Sequence, residues 1–487
     1  MKNKWNNMLF MAGSLACGLT SCTTPKEKAP NVLFIMADQW RGNAIGYLGI
    51  EPVQTPHIDG LAQEGVHFVN AASGYPVSSP ARAMLMTGMY PTQNGVIGNC
   101  NSHTAPYGVE LKEETQCWSD VWSQNGYNMG YIGKWHLDSP HEPFINTSNN
   151  RGEIAWNEWC PANRRHGFEH WIAYGTYDYH LKPMYWNTND AREDFYYVNQ
   201  WGPEYEADQA IHYIQNKEGK YRDSEKPFSL VVSFNPPHTG YELVPDKYKE
   251  VYKDLDVEAL ANQPHIPAKG TPNGDYFRKN VRNYYACMTG VDEQVGRLIE
   301  TLKKENLYDN TILVFTSDHG DQMGMHNCIG KNIYYEESMH IPLIIKWKGH
   351  LEPRQDEMLI SLEDLNPTLT SLIGLGKDIP ASVQTFDVSQ HLLNNTTDDT
   401  LFQPYFHVDV TNTLNGKRGL RNAQYTYAIE MENGKIIEEI LFDRIADPYQ
   451  LSNKLTDLPQ EATQLKEQLI EFLKDTNDPF ANNFKLK

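Results

Sequence analysis

Positive charge is in deficit in this 487-residue chain: 42 Lys and Arg stand against 62 Asp and Glu, a net charge of −20. That field repels polyanions, which excludes general nucleic-acid binding and leaves an anionic substrate only where a local cationic pocket overrides it. Long apolar runs are scarce too. The one present, Met8 to Leu19, is too short to span a bilayer as a stable helix. Cysteine is sparse, with seven residues and no CxxC pair, so zinc-site spacing is absent. There are no internal repeats or low-complexity tracts, and the 34 Gly and 28 Pro are dispersed. Collagen-like, coiled-coil and wholly disordered chains are thereby excluded. What remains is a globular chain of about three domain equivalents, or one large α/β domain with an appendage.

The start of the chain is an address. Lys2 and Lys4 precede the Met8–Leu19 run, and Leu19-Thr20-Ser21-Cys22 is similar to a bacterial lipobox. Residues 1-21 are therefore expected to be a lipoprotein signal peptide, Cys22 the lipid site and 22-30 a polar tether. The mature protein is expected to be exported and held to a membrane only by that lipid, in the periplasm or on the outer-membrane surface of a Gram-negative bacterium. Beyond the leader, Cys100, Cys117, Cys160, Cys287 and Cys328 are an odd number, so at least one stays unpaired.

Four short apolar runs carry the organisation: Asn31–Ala37, Asn128–Ile132, Ser229–Phe234 and Thr311–Thr316. Near-continuous apolar strands separated by amphipathic stretches predict a buried, largely parallel sheet covered by helices. Ligands bind such sheets outside the carboxyl ends of the strands. There the sequence places Asp38-Gln39, Lys134 with His136, His238, and Asp318-His319. Helices are predicted from Val291 to Glu305 and from Pro459 to Leu473 by their apolar spacing. A polar stretch at 394–399 reads as a linker, which divides the chain into 31-395 and 396-487. Asn433-Gly434, between two β-rich runs, predicts a hairpin in a small antiparallel C-terminal sheet.

The central motif is Ser78-Ser79-Pro80-Ala81-Arg82, followed by Leu85-x-Thr87-Gly88. Local physics predicts a short helix capped by Ser78 or Ser79 and closed at Gly88. A serine without a neighbouring base is a poor nucleophile, so local physics alone assigns it no reaction.

That motif resembles the signature of the type I, formylglycine-dependent sulfatases. The resemblance recurs in order through Asp38-Gln39, Lys134-x-His136, His238, Asp318-His319 and Lys331, and covers about residues 31 to 474. It implies an alkaline-phosphatase-like α/β fold, a large sheet sandwiched by helices, with a smaller C-terminal α+β domain. It implies that Ser78 is oxidised to Cα-formylglycine by an anaerobic sulfatase-maturating enzyme. The hydrated aldehyde would attack the sulfur of a sulfate ester, and its second hydroxyl would let sulfate leave. The implied roles are His136 as base, His238 as acid on the leaving alcohol, Lys134 and Lys331 on the sulfate oxygens, and Arg82 on the aldehyde hydrate. Asp38, Gln39, Asp318, His319 and an oxygen of residue 78 would hold one Ca²⁺, with Mg²⁺ as competitor. Gln39 stands where the family usually has Asp, and His319 where it usually has Asn.

The implied substrate is a sulfated carbohydrate of the glycosaminoglycan, mucin or algal type, attacked at chain ends. The aromatics between Trp156 and Trp201 are either a sugar platform or packing. Two rival functions stay open on sequence: a phosphatase or phosphonate hydrolase of the same superfamily, and a glycan-binding lipoprotein with unmodified Ser78.

Overall fold

The computed structural model describes residues 28–396 and 401–484. The expected signal, Cys22, most of the tether and residues 397–400 lie outside them. Among the described residues, no helix is long and apolar enough to cross a membrane. The five cysteines downstream of the leader are all unbridged.

The four expected strands form, with a fifth beside them. They are β1 (Asn31–Ala37), β2 (Asn128–Lys134), β3 (His170–Tyr174), β4 (Phe228–Phe234) and β5 (Thr311–Ser317). They run parallel in the order β5-β1-β4-β2-β3, and antiparallel neighbours Leu343–Lys346 and Met184–Asn187 help extend the sheet to ten strands. Both faces are buried, which is why the strands read as continuous apolar runs. On one face Val32, Phe34 and Met36 share a core with Ala81, Met84 and Leu85 of helix α1 (Ser78–Thr87). On the other, Leu33, Ile35 and Ala37 meet Tyr284, Val291 and Leu298 of helix α2 (Pro272–Lys304). That helix is longer than its apolar spacing suggested. It starts at Pro272, where the Thr271 hydroxyl accepts from the Gly274 N–H at 3.2 Å.

The C-terminal sheet has four antiparallel strands, ending in the hairpin Tyr425–Glu432 and Lys435–Asp443. Asn433 (φ 50°) and Gly434 (φ 74°) supply the two left-handed residues of its turn. Helix α3 (Pro459–Asp475) covers the sheet. Its Leu465, Leu469 and Leu473 join Phe406, Leu420 and Ile429 in the same core as α1. The C-terminal part is thus packed into one face of the large sheet.

Most of the aromatic segment is packed, while Trp156 and Trp159 are half-buried. Trp171, Tyr174, Tyr177, Tyr185 and Trp186 are buried, while Tyr179 is exposed.

Candidate active site

The carboxyl ends of β1, β2, β4 and β5 deliver the expected residues to one place, and α1 brings Ser78 to it. Val77 enters the helix in extended conformation, and neither serine caps it. The Ser78 hydroxyl lies 3.1 Å from Asp38 Oδ2 and 3.0 Å from His319 Nε2. Ser79 Oγ accepts from the Cys100 N–H at 3.0 Å. Charged and long-range partners outcompete the helix's own amides for both hydroxyls, which corrects the expected cap. Gly88 does close the helix, at φ 64° with its N–H on Met84 O.

Arg82 projects from one turn further along α1 and ties the strand ends together. Its guanidinium donates to Asp38 Oδ2 (3.0 Å), Asp318 Oδ2 (3.1 Å), Lys134 O (2.8 Å) and Ser233 Oγ (2.8 Å). The resemblance assigned Arg82 to the aldehyde hydrate. The structure shows its fork on the two carboxylates that flank Ser78. Lys134 Nζ sits 2.8 Å from Asp38 Oδ2 and donates to Asn235 Oδ1 at 3.1 Å. Gly133 precedes it at φ 105°, where a Cβ would stand 2.1 Å from Ser233 O. A side chain there would push β2 off β4 and displace the lysine.

Asp38, Asp318 and His319 bring ligand atoms within 4.8 Å of one another, all buried. Asp38 Oδ1 has no hydrogen-bond partner. His319 Nδ1 donates to Gly320 O at 2.8 Å, which leaves its Nε2 lone pair facing the carboxylates. Burial and the Asp38 charge raise Asp318 above the usual carboxylate range. At Asp38, burial is overcome by Lys134, His238, Lys331 and Arg82, which hold it low. An orphaned carboxylate oxygen, a second crowded carboxylate and an imidazole lone pair turned toward them fit a divalent cation. Gln39, in left-handed conformation at φ 68°, accepts on Oε1 from Lys331 Nζ at 2.7 Å and donates from Nε2 to Tyr241 OH at 3.2 Å.

The two histidines, His136 and His238, are oriented differently. His136 donates Nε2–H to Cys100 O at 3.1 Å, and its buried Nδ1 has no partner. Burial, then Lys134 and Arg82, hold it well below the ordinary imidazole range, so it is neutral with a free lone pair. His238 turns Nδ1 to Asp178 Oδ1 at 3.1 Å and Nε2 toward Asp38 Oδ1 at 3.9 Å. Burial, Lys134 and Lys331 lower it, while Asp178 and Asp38 oppose. His180 supports this loop by bonding the carbonyls of His238 and Thr239.

Sequence reasoning missed Asp178, Asn235, Ser233 and the Tyr241–Asp321 pair, bonded at 2.5 Å. Asp178 lies in the aromatic segment, and no motif spacing links it to His238. Arg82, Lys134 and Lys331 gather around Asp38 and Asp318, with Asp178 and Asp321 close by, so three cations are concentrated at one place in an acidic molecule. It can hold an anionic ester beside a buried oxygen nucleophile.

Comparison with known proteins agrees with this geometry. The Sulfatase family model matches residues 30–375, and the model of the N-sulphoglucosamine sulphohydrolase C-terminal region matches 324–478. A relative from Bacteroides thetaiotaomicron named Endo-4-O-sulfatase is 35% identical, covering 96% of this chain and 98% of that protein. An ulvan-active sulfatase from Formosa agariphila is 32% identical over 93% of this chain and 83% of its own length. The crystal structure of a candidate sulfatase, yidJ of Bacteroides fragilis, is 60% identical and superposes with a TM-score of 0.92, covering 95% of this chain and 99% of that one. With the family model spanning most of its length and such relatives matching end to end, this chain belongs to the sulfatases, the sulfuric ester hydrolases.

Proposed function

We propose that this sulfatase removes sulfate from carbohydrate chain ends, with Ser78 converted to Cα-formylglycine by an oxygen-independent maturating enzyme. The observation that carries the reading is the position of Ser78 Oγ, within 3.1 Å of both Asp38 and His319. Arg82, Lys134 and Lys331 gather around the same carboxylates. When formed, the aldehyde hydrate supplies an attacking oxygen and a second hydroxyl through which sulfate is expelled.

The remaining chemistry belongs to side chains described above. Lys134 and Lys331 bind sulfate oxygens and offset their charge. His136 Nδ1 is the free base that accepts the proton released during sulfate expulsion. His238 Nε2 gives a proton to the leaving alcohol, and the negative charge of the bound ester raises its proton affinity against the two lysines. Asp38, Asp318 and His319, with Gln39 and the residue-78 oxygen, would hold Ca²⁺ or, less favourably, Mg²⁺. Such a cation would polarise a sulfate oxygen.

The relatives named for 4-O-sulfate and ulvan support a glycan substrate. The depth of Ser78, Lys134 and His136, all buried, supports entry of a terminal ring. The relative named as an endo-enzyme favours a second reading, attack on internal sulfates. Sulfate release from a defined oligosaccharide, sulfated either internally or only at its end, decides between them. Export and lipidation at Cys22 complete the proposal. Lipid labelling that persists in Cys22→Ala would refute the anchor.

The decisive experiment is mass spectrometry of natively produced protein across residue 78, paired with release of sulfate and phosphate from matched esters. The expected result is loss of two hydrogens at Ser78 and preference for sulfate. Plain serine in an active enzyme refutes the nucleophile, and preference for phosphate favours the phosphonate-hydrolase rival. Plain serine without any turnover returns the glycan-binding alternative.

A further inference from the structure

A groove of about 520 Å³ runs between the start of α1 and the C-terminal sheet. That lies within the roughly 300–1,000 Å³ range of small-molecule sites. Three wall residues are chain neighbours of catalytic groups. Val77 precedes Ser78, Asn332 follows Lys331, and Asn99 precedes Cys100, whose carbonyl holds His136. Asn99 Oδ1 also accepts from the Ser79 N–H at 3.1 Å, and the Asn332 N–H donates to Pro76 O at 3.1 Å. The groove therefore lies one residue away from the catalytic groups along three segments, on hydrogen-bonded backbone.

It lacks the cations that mark the catalytic pocket. The facing wall carries Asp409, Glu430 and Glu432, and no Lys or Arg lines the groove. Lys417 offsets Glu430 from outside, at 3.0 Å. Asp409 is bonded by Thr411 and Asn415, both uncharged. His407, also in the wall, is held neutral by burial and by Lys417. Asn332 Oδ1 and His407 Nδ1 are buried atoms without hydrogen-bond partners. A surface of neutral polar atoms rimmed by carboxylates suits a hydroxyl-rich, uncharged ligand.

We infer that this groove receives the ring next to the sulfated one, and that it selects an uncharged sugar there over a uronate or a second sulfated sugar. The inference rests on the sulfatase reading and specifies its substrate class. Ring hydroxyls donate to Asn332 Oδ1 and His407 Nδ1. A uronate carboxylate in the same place meets Asp409, Glu430 and Glu432, with no cation in the wall to receive it.

The test uses the mature full-length enzyme. Its substrates are a sulfated hexosamine alone, the same residue joined to a neutral hexose, and the same residue joined to a hexuronate, with the sulfate placed at each ring position in turn. The neutral-neighbour disaccharide is expected to show kcat/KM about tenfold above the uronate one. That gap should narrow severalfold in the D409N/E432Q double variant, and with added salt in the unaltered enzyme. If the double variant fails to fold, the salt series decides. Equal or better turnover of the uronate substrate, or a gap indifferent to salt, overturns the inference and leaves the sulfatase reading intact. Absence of sulfate release from every substrate overturns both.

Discussion

Replacing Asp178 by Asn separates charge from shape in the pair that holds His238. The amide keeps a group of carboxylate size 3.1 Å from His238 Nδ1 and beside Asn235, while removing one negative charge. At an effective dielectric of about 20, unit charges 4 Å apart interact by about 4 kcal/mol. The Asp178 side chain is 37% exposed, so solvent screens much of this. We take about 1–2 kcal/mol as the surviving interaction, a loss of roughly 5- to 30-fold in His238 proton affinity. His238 already lies below its ordinary range, so its protonated fraction falls in proportion. A sugar alcohol is a poor leaving group and needs that proton, whereas an activated aryl oxide does not. The assay is sulfate release from a sugar sulfate and a nitrophenyl sulfate in parallel. Asp178→Asn should lower kcat/KM about 5- to 30-fold on the sugar and less than about threefold on the aryl ester. His238→Ala should cost about 10²- to 10⁴-fold on the sugar alone. Equal losses on both esters would remove the Asp178–His238 pair from proton donation.

Ser78→Ala should reduce turnover to background. Its hydroxyl bonds Asp38 and His319, and removing it should cost about 1–2 kcal/mol of stability; paired activity and thermal-melt measurements check both effects. Residual turnover in the folded variant contradicts the assigned nucleophile. Chelation should abolish activity and lower the melting temperature, with Ca²⁺ restoring both better than Mg²⁺; an indifferent enzyme refutes the cation site. Glu206 is buried under the hydroxyls of Tyr174 and Tyr185, and burial pushes it up to about 8. Its folded state holds the proton more tightly than the unfolded chain, so this contribution is complete below about pH 4.5 and is lost as pH rises to about 8. The loss is roughly 5 kcal/mol, and Glu206→Gln should flatten that slope in denaturant titrations at several pH values. An unchanged slope rules Glu206 out as its source.

Several residues of the site were legible because they sit where a buried strand stops. Asp38, Lys134 and Asp318 follow runs whose apolar continuity marks a strand covered on both faces, and the motif at Ser78 orders them. Asn433-Gly434 was legible because a two-residue turn with two left-handed positions narrows the residue choice. The short strands Met184–Asn187 and Tyr196–Tyr197, the last two at one side of the sheet, were not, since such short segments show no period. Asp178 was invisible for another reason. Its partner lies 60 residues away, and only the fold brings the two together. The capping serines failed because local rules weigh a hydroxyl against nearby amides, while Ser78 answers to Asp38 and His319 from distant strands.

Every residue of α1 is buried, and Ser78 is 1% exposed. No second protein can reach that side chain once the sheet and the C-terminal layer have closed over it. Any enzyme that edits position 78 must therefore meet it as an extended peptide. If position 78 is converted as proposed, manufacture has a fixed sequence: chemistry first, folding afterwards, and a molecule that folds too early is sealed as an inert twin of the working one.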